Sequence, residues 1–226
     1  MTSRQPFAQA AAAIGLPLTD TQLDAFEAFE ENLYAANEVM NLTRVPREEA
    51  WLRHYLDSLL FHDLIPEGST VLDIGSGAGF PAWPLACARP DLKVTSLDSS
   101  GKMLGFLQRN PLPNLESVLG RAENWRVRDR FDVVTGRALA PLPIQLELSS
   151  PPARVGGLVI PMRTPAEEAD IRAFPGEELG LKLDRIETRP LPDTDVIRAF
   201  PVYRKLVKTD RRYPRTWAEI KRDPLG

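Results

Sequence analysis

The 226-residue sequence has a single cysteine, Cys87, and only two histidines, His54 and His62. One cysteine excludes an internal disulfide and favours a reducing compartment, in which Cys87 would be a small buried apolar residue. The three side chains match no recognised spacing of metal ligands, so we predict no metal site.

Long apolar runs are also missing. Residues 7–18 are apolar and rich in alanine, but they include Gln9 and are interrupted by Pro17. This stretch is therefore predicted to be neither a signal peptide nor a membrane span. We expect a cytoplasmic, monomeric protein with no membrane partner.

The overall charge is moderate, because 26% of the residues are charged, 43% are hydrophobic and the net charge is −3. This composition is typical of one large domain with an extension. Residues 1–64 have apolar side chains at helical spacing, for example Leu23, Phe26 and Leu33, which predicts a helical extension packed on the core. Residues 65–226 are then predicted to form that core, including a basic C-terminal segment.

From residue 69 onward, short apolar runs alternate with helix-like segments. The strand candidates are residues 71–74, 93–97, 115–119, 131–135 and 157–161. This alternation predicts an α/β fold with a mostly parallel, doubly wound sheet. Residues 181–187 and 196–207 are separated only by a proline-containing loop, so we expect an antiparallel hairpin at the sheet edge.

The first strand contains Asp73 and leads directly into three alternate glycines, Gly75, Gly77 and Gly79. Glycine permits positive φ and close approach of a ligand, and the following helix directs unpaired N–H groups at that ligand. A dinucleotide-binding turn would have glycine at the position of Phe80. The pattern instead resembles the first motif of class I S-adenosylmethionine (AdoMet) methyltransferases, which have a Rossmann-like fold.

Asp98 ends the second strand candidate, 19 positions after Gly79. An acid at this spacing is predicted to accept hydrogen bonds from both ribose hydroxyls of the cofactor. The alternative is that Asp98 only caps the helix that begins near Ser99 and Ser100. The order of strand, glycine turn, helix, strand and acid favours the ribose role.

Six segments occur in the order typical of one family. They are residues 41–43 (NLT), 53–59 (RHYLDSL), 80–86 (FPAWPLA), 98–102 (DSSGK), 120–123 (GRAE) and 136–138 (GRA). In these segments the chain resembles the RsmG (GidB) family, and the resemblance covers nearly the whole chain. Members of that family are bacterial AdoMet-dependent methyltransferases that modify N7 of a guanosine in the decoding-centre loop of 16S ribosomal RNA.

The resemblance implies roles for individual residues. Together with the glycine turn, it implies a cofactor site formed by Asp73, Gly75, Gly77, Gly79, Phe80, Asp98, Ser99, Ser100, Ala122, Glu123 and Arg137. Within this set, Ala122 and Glu123 would lie at the adenine edge. Arg137 would lie beside the methyl-transfer site as the catalytic, positioning residue. Considered alone, Glu123 would be interpreted as a solvated charge and Arg137 as a surface ion pair, but the position of Arg137 after a strand favours function.

Methylation of guanine N7 needs no general base, because N7 has a free lone pair at neutral pH. We therefore predict direct methyl transfer that depends on alignment and desolvation. The lone cysteine argues against methylation of cytosine C5, which requires a cysteine nucleophile. His54 and Asp57 are one helical turn apart and could form an acid/base pair or a structural contact, and we favour the structural role.

The C-terminal segment is basic. Residues 201–226 have eight lysines or arginines and three acids, a net charge of +5, with Tyr213 and Trp217 interleaved. This pattern is typical of RNA recognition, although a solvated tail is the alternative. The predicted contacts to 16S ribosomal RNA or the small ribosomal subunit are Arg163, Lys208, Arg211, Arg212 and Arg215. Two segments depart from the family pattern, because Arg163 replaces the usual lysine and residues 216–219 (TWAE) replace a proline-glycine stretch.

Other functions stay open at this point. One alternative is an AdoMet-dependent methyltransferase that acts on protein or small molecules, which would leave the basic segment without a role. A nicotinamide-dependent oxidoreductase is disfavoured by Phe80. A module that senses the cofactor without catalysis is not excluded by motifs.

Overall fold

The computed structural model describes residues 3–174 and 176–225, and its centre is a seven-stranded sheet. The strands are β1 (Thr70–Ile74), β2 (Lys93–Asp98), β3 (Leu115–Leu119), β4 (Phe131–Arg137), β5 (Ala153–Met162), β6 (Leu181–Pro190) and β7 (Ile197–Lys205). Their order is β3-β2-β1-β4-β5-β7-β6. The strands β1 to β5 are parallel, whereas β7 is antiparallel to β5 and to β6. The predicted α/β fold with an antiparallel edge hairpin is confirmed.

The central strand β1 is apolar because both faces of the sheet are covered. Val71 belongs to the apolar cluster on one face, and Leu72 and Ile74 belong to the cluster on the other. Successive side chains of a strand point to opposite faces, so a strand covered on both sides has a nearly continuous apolar sequence.

The helices are α1 (Arg4–Ala13), α2 (Asp20–Met40), α3 (Asp57–Leu59), α4 (Ala82–Ala88), α5 (Gly101–Gln108), α6 (Leu142–Ser149), α7 (Glu168–Ala173) and α8 (Trp217–Arg222). A π-helical segment, Trp51–Leu56, leads directly into α3. Helix α2 begins with a capping box of Thr19 and Gln22. Its C-cap residue is Asn41, which has a left-handed φ of 48°. None of the helices within the described residues is long and apolar enough to cross a membrane.

The N-terminal helices pack on one face of the sheet. Phe26 and Phe29 of α2 lie against Trp83 of α4, with ring centroids 5.3 and 4.0 Å apart. Gln22 Nε2 donates hydrogen bonds to the carbonyl oxygens of Cys87 and Ala88, which end the same helix. The predicted units, residues 1–64 and 65–226, include residues 1, 2, 175 and 226, which lie outside the described residues. A boundary at residue 64 stays a prediction.

Candidate active site

The chain reverses its direction across the sheet at β1. Strands β2 and β3 lie on one side of β1, and β4 and β5 lie on the other. Open α/β sheets bind ligands outside the carboxyl ends of the strands at such a point. The loops that begin there contain Gly75 after β1, Ser99 after β2, Glu123 after β3 and Ala138 after β4.

The glycine turn has a positive φ at Gly75, Gly77 and Gly79, of 73°, 55° and 106°. A Cβ at Gly77 would have no heavy atom within 4 Å, so open space adjoins this position. A Cβ at Gly75 would lie 2.6 Å from Leu139 Cδ1. The positive φ of Gly75 favours glycine, and a side chain there would also displace the Leu139 side chain of the loop after β4.

Gly79 combines its positive φ with close packing against two helices. A Cβ at this position would lie 2.5 Å from Leu107 Cδ2 of α5 and 3.2 Å from Trp83 Cβ. The absence of a side chain at Gly79 thus permits close packing of α4 and α5 at the turn, and its place in the cofactor site stays a prediction.

Asp98 holds the glycine turn and the start of α5 together. Its Oδ2 accepts a hydrogen bond of 2.8 Å from Gly77 N, and its Oδ1 accepts one of 2.7 Å from Ser100 N. Each carboxylate oxygen has a second acceptor position, so the fixed carboxylate can accept two further hydrogen bonds. The N-cap of α5 is Ser100, whose side chain accepts from Met103 N, so Asp98 does not itself cap that helix.

A pocket of about 230 Å³ opens beside this carboxylate, and we name it the Asp98 pocket. The predicted cofactor residues that line it are Gly75, Asp98, Ser99, Ala122 and Glu123. These residues lie at the ends of β1, β2 and β3 or in the loops that follow them. The fold thus brings together Gly75 and Glu123, which are 48 positions apart in the chain. The carboxylate of Glu123 is paired with Arg121. A flat nucleoside with a hydroxyl-bearing sugar fits the chemistry of this lining.

Asp73 is fully buried below the turn. Its Oδ2 accepts a hydrogen bond from Ala82 N, and its Oδ1 has no partner among the described residues. Burial raises the pKa of Asp73 to about 7, although the hydrogen bond from Ala82 and the charge of Arg137 oppose this rise. An unpartnered buried carboxylate oxygen suits a site for a cationic ligand such as AdoMet.

A second pocket of about 410 Å³, the Arg137 pocket, lies at the ends of β4 and β5. Arg137 Nη1 donates a hydrogen bond of 3.1 Å to Asp57 Oδ2. Arg198 Nε and Nη2 donate to the two oxygens of the same carboxylate, at 2.6 and 3.0 Å. Burial lowers the pKa of Arg137, and Asp57 opposes that effect. Arg137 is therefore a fixed cation held by a buried acid, rather than a surface ion pair.

His54 and Asp57 both contact Arg137 instead of forming the acid/base pair that their spacing allowed. His54 Nε2 lies 2.6 Å from Thr43 Oγ1, and His54 Nδ1 lies 3.4 Å from Arg137 Nη2. Because a guanidinium only donates, Nδ1 is the acceptor and Nε2 has the proton. Burial, with the charges of Arg137 and Arg53, lowers the pKa of His54 to about 3.

Phe80 lies under this cluster and not in either pocket. Its ring is stacked on that of His54 at 4.2 Å between centroids, and the Arg137 guanidinium lies 5.4 Å from the Phe80 centroid. This packing supports His54 and Arg137, and the contact of Phe80 with the cofactor stays a prediction.

The sequence comparisons agree with this geometry. Residues 22–209 match the family described as rRNA small subunit methyltransferase G. The chain belongs to the rRNA small subunit methyltransferase G family. A protein named ribosomal RNA small subunit methyltransferase G from Lachnoclostridium phytofermentans is 37% identical, over 100% of this chain and 98% of its own. One of the same name from Lactobacillus helveticus is 36% identical, over 92% of this chain and 93% of its own.

Solved structures share the fold at lower identity. TYW2 of M. jannaschii in complex with AdoMet has a TM-score of 0.55 and 18% identity, covering 66% of this chain and 75% of that one. A TehB-like SAM-dependent methyltransferase from Corynebacterium glutamicum has a TM-score of 0.54 and 16% identity, covering 79% and 99%. Membership of the rRNA small subunit methyltransferase G family confirms the predicted recognition, the Rossmann-like methyltransferase fold and AdoMet as the cofactor.

The residues that were predicted to contact RNA are spread over this methyltransferase. Arg163 is buried and donates to the carbonyl oxygen of Ala140 and to Gln145. Arg215 is bound to Glu147 through Nε and Nη2. Arg163 also lines the Arg137 pocket, and its Nε has no partner among the described residues. The RNA contacts of Arg163 and Arg215 stay predictions.

Lys208, Arg211 and Arg212 are exposed and line neither pocket. They follow β7, which is antiparallel to β5 and therefore ends beside the amino-terminal ends of the parallel strands. Arg128, just before β4, donates to the carbonyl oxygens of residues 209, 210 and 213 and holds the segment there. Tyr213 is buried, so it cannot stack on an RNA base.

Sequence patterns missed Arg198, a charged residue of the Arg137 pocket. It is 141 positions from Asp57 in the chain, in a strand whose neighbours gave no signal of a site. Within the described residues, no group of three or more histidine, cysteine, aspartate or glutamate side chains is arranged to hold a metal ion.

Proposed function

We propose that this protein transfers the methyl group of AdoMet to N7 of a guanosine in 16S ribosomal RNA. The observation that best supports the proposal is the adjacency of the two pockets. Arg137 and Ala138 line the Arg137 pocket, and the next two residues, Leu139 and Ala140, line the Asp98 pocket. One four-residue stretch therefore forms a wall of both pockets, as a site for two reactants requires.

The Asp98 pocket is proposed to hold the cofactor. Asp98 would accept the ribose hydroxyls, Ser99 and Ser100 would support the sugar, and the cofactor supplies an electrophilic methyl group when it is bound. Ala122 and Glu123 would lie at the adenine. The glycine turn (Gly75, Gly77 and Gly79), with Asp73 before it and Phe80 after it, would border the remainder of the cofactor.

The Arg137 pocket is proposed to hold the target base. Arg137 would position the guanine or the cofactor carboxylate, and Asp57 and Arg198 would keep its guanidinium fixed. Residues 1–64 are proposed to be a helical extension whose function is to bring His54 and Asp57 into this pocket. Because the proposed substrate is ribosomal RNA, the protein is proposed to act in the cytoplasm.

The chemical step is proposed to need no general base. His54 lines the Arg137 pocket, but its Nδ1 faces Arg137 and its pKa is lowered to about 3. We expect the single-turnover rate at saturating AdoMet to change less than about twofold between about pH 6 and pH 8. Rapid-quench assays with labelled AdoMet would measure it, and a tenfold rise per pH unit would show that a base titrates in the step.

Cofactor binding, in contrast, should depend on pH. Asp73 has a pKa of about 7 without a cationic ligand, and a bound cation favours the ionised carboxylate. Affinity for AdoMet should therefore rise with pH, by roughly threefold to tenfold between about pH 6 and pH 8. Calorimetry on wild type and Asp73→Asn would test this, because the variant should lose the pH dependence. Asp91→Asn is the matched control, since the pKa of Asp91 is lowered to about 2 by Arg89.

Arg211 and Arg212 are proposed to contact RNA beyond the target nucleotide. Each phosphate contact that is lost should flatten the plot of log affinity against log salt by about 0.7 to 0.9. The double variant Arg211→Ala with Arg212→Ala should thus bind more weakly at low salt and approach wild type at high salt. Lys93→Ala is the control. Lys93 is the first residue of β2, so it also lies at the amino-terminal ends of the parallel strands, but β2 is four positions from β7 in the sheet. An unchanged slope in the double variant would remove these residues from the interface.

The proposed function itself is tested by radiolabelled methyl transfer to small ribosomal subunits from cells that lack this gene. The expected product is one 7-methylguanosine in the 16S RNA, located by primer extension after cleavage at the modified base. Subunits from cells with the gene should accept no label. Transfer to protein or to a small molecule, with unmodified RNA, would support the alternative methyltransferase and overturn the proposal.

A further inference from the structure

The C-terminal helix α8 is fixed to the sheet through α6. The Glu147 side chain is 1% exposed, and its Oε1 accepts from Arg215 N and Nε at 2.8 and 3.0 Å. Its Oε2 accepts from Arg215 Nη2 at 2.7 Å. Ile220 is fully buried against Ile144 and Leu148 of α6. The segment that begins at Arg215 is therefore a firmly packed part of the fold, not a solvated tail.

This attachment brings Trp217 into the wall of the Asp98 pocket. Trp217 is 37% exposed, and the guanidinium of Arg121 lies 5.5 Å from its ring centroid. Arg121 is itself paired with Glu123. A chain of contacts thus links Trp217 to the loop that contains Ala122 and Glu123, the residues at the proposed adenine edge.

We propose that Trp217 is a cofactor-binding residue that contacts the adenine of AdoMet with its indole ring. The proposal rests on the proposed use of the Asp98 pocket for the cofactor. A partly exposed indole in the wall of a pocket offers an apolar π-surface, and a purine is the flat, polarisable part of this cofactor. Asp98 would accept the ribose hydroxyls. The indole ring of Trp217, beside the loop after β3, is therefore available to the adenine.

The position makes adenine a better partner than an RNA base. Trp217 shares the pocket with Asp98 and Ala122, whereas the exposed cations Lys208, Arg211 and Arg212 lie at the opposite edge of the sheet. Residues 216–219 also depart from the family pattern, so this contact would be a feature of this chain.

The test is the dissociation constant of AdoMet for wild type, Trp217→Ala and Trp217→Phe, measured by calorimetry on the full chain. We expect about tenfold weaker binding for Trp217→Ala and a loss of less than about threefold for Trp217→Phe, which keeps an aromatic face. Val155→Ala is the control, because Val155 is an exposed apolar residue near the start of β5, at the other edge of the sheet. Its affinity should equal that of wild type.

Two further measurements locate the contact. With 5′-methylthioadenosine, which has the nucleoside but not the amino acid, Trp217→Ala should lose affinity by the same factor as with AdoMet. Ligand binding should change tryptophan fluorescence in wild type and in Trp125→Phe, but not in Trp217→Phe. This second readout applies even if Trp217→Ala does not fold.

The outcomes separate this proposal from the proposed function. If wild type does not bind AdoMet, the proposed function fails. If wild type binds and Trp217→Ala binds equally well, the function stands and the role of Trp217 is wrong. Weaker RNA binding by Trp217→Ala with unchanged AdoMet affinity would assign the ring to RNA and overturn the adenine contact.

Discussion

Replacing Asp98 by alanine is expected to weaken AdoMet binding by roughly 10²-fold to 10⁴-fold. The estimate follows from two hydrogen bonds of ribose hydroxyls to a charged acceptor, each with a contribution of about 1.5 to 3 kcal/mol. The variant also leaves Gly77 N and Ser100 N without the acceptor that now orients both. Calorimetry with AdoMet and with S-adenosylhomocysteine would measure the loss.

Two companions make this result specific. Asp91→Ala also removes a carboxylate that accepts a hydrogen bond from a backbone N–H, that of Gly68. Asp91 precedes β2, whereas Asp98 is at the end of β2 that faces the pocket. The affinity of Asp91→Ala for AdoMet should be unchanged. Asp98→Asn keeps a single carbonyl acceptor and should fall between wild type and alanine. Wild-type affinity in the asparagine variant would exclude a ribose role for this carboxylate.

The second large effect is expected at Asp57, on stability. Its side chain is 1% exposed and accepts hydrogen bonds from both Arg137 and Arg198. Asp57→Asn preserves the shape but leaves two guanidinium groups close together without their anion. Breaking a buried pair in this way costs about 3 to 5 kcal/mol. Urea unfolding should show this loss as a lower midpoint with an unchanged slope.

A matched surface pair provides the comparison. Asp63 accepts a hydrogen bond of 2.9 Å from Arg189, and its side chain is 45% exposed. Asp63→Asn should lower the free energy of unfolding by less than about 1 kcal/mol, because solvent screens an exposed pair. Equal losses in the two variants would show that the contact of Asp57 with Arg137 and Arg198 does not stabilise the fold.

The parts of the site that follow local sequence patterns could be predicted. The first strand, the glycine turn and Asp98 lie within about 30 residues of one another, and apolar runs mark the strands. The sheet and much of the lining of the Asp98 pocket could therefore be predicted from the sequence. Phe80 and Gly79 were assigned to the cofactor because they follow the same motif. That assignment stays a prediction. Their packing against His54 and Leu107 could not be predicted, because it depends on helices from elsewhere in the chain.

The basic segment shows why charge counts alone were insufficient. Of its eight cations, Arg204 pairs with Asp184, Lys205 with Asp129 and Arg215 with Glu147. These acids lie at least 20 positions away in the chain, and Lys205 is buried. Pairing over such separations has no local sequence signal, since it depends on which strands and helices become neighbours.

The attachment of Arg215 to Glu147 has a practical consequence for dissecting this enzyme. Deleting the chain after β7 would remove the three bonds to a buried anion, uncover the apolar surface under Ile220 and open one side of the Asp98 pocket. A shortened protein is therefore expected to bind the methyl donor more weakly and to unfold at a lower temperature, in addition to losing the nucleic-acid contacts that this segment makes. Separating substrate recognition from catalysis in this protein requires single substitutions at the surface, with the terminus intact.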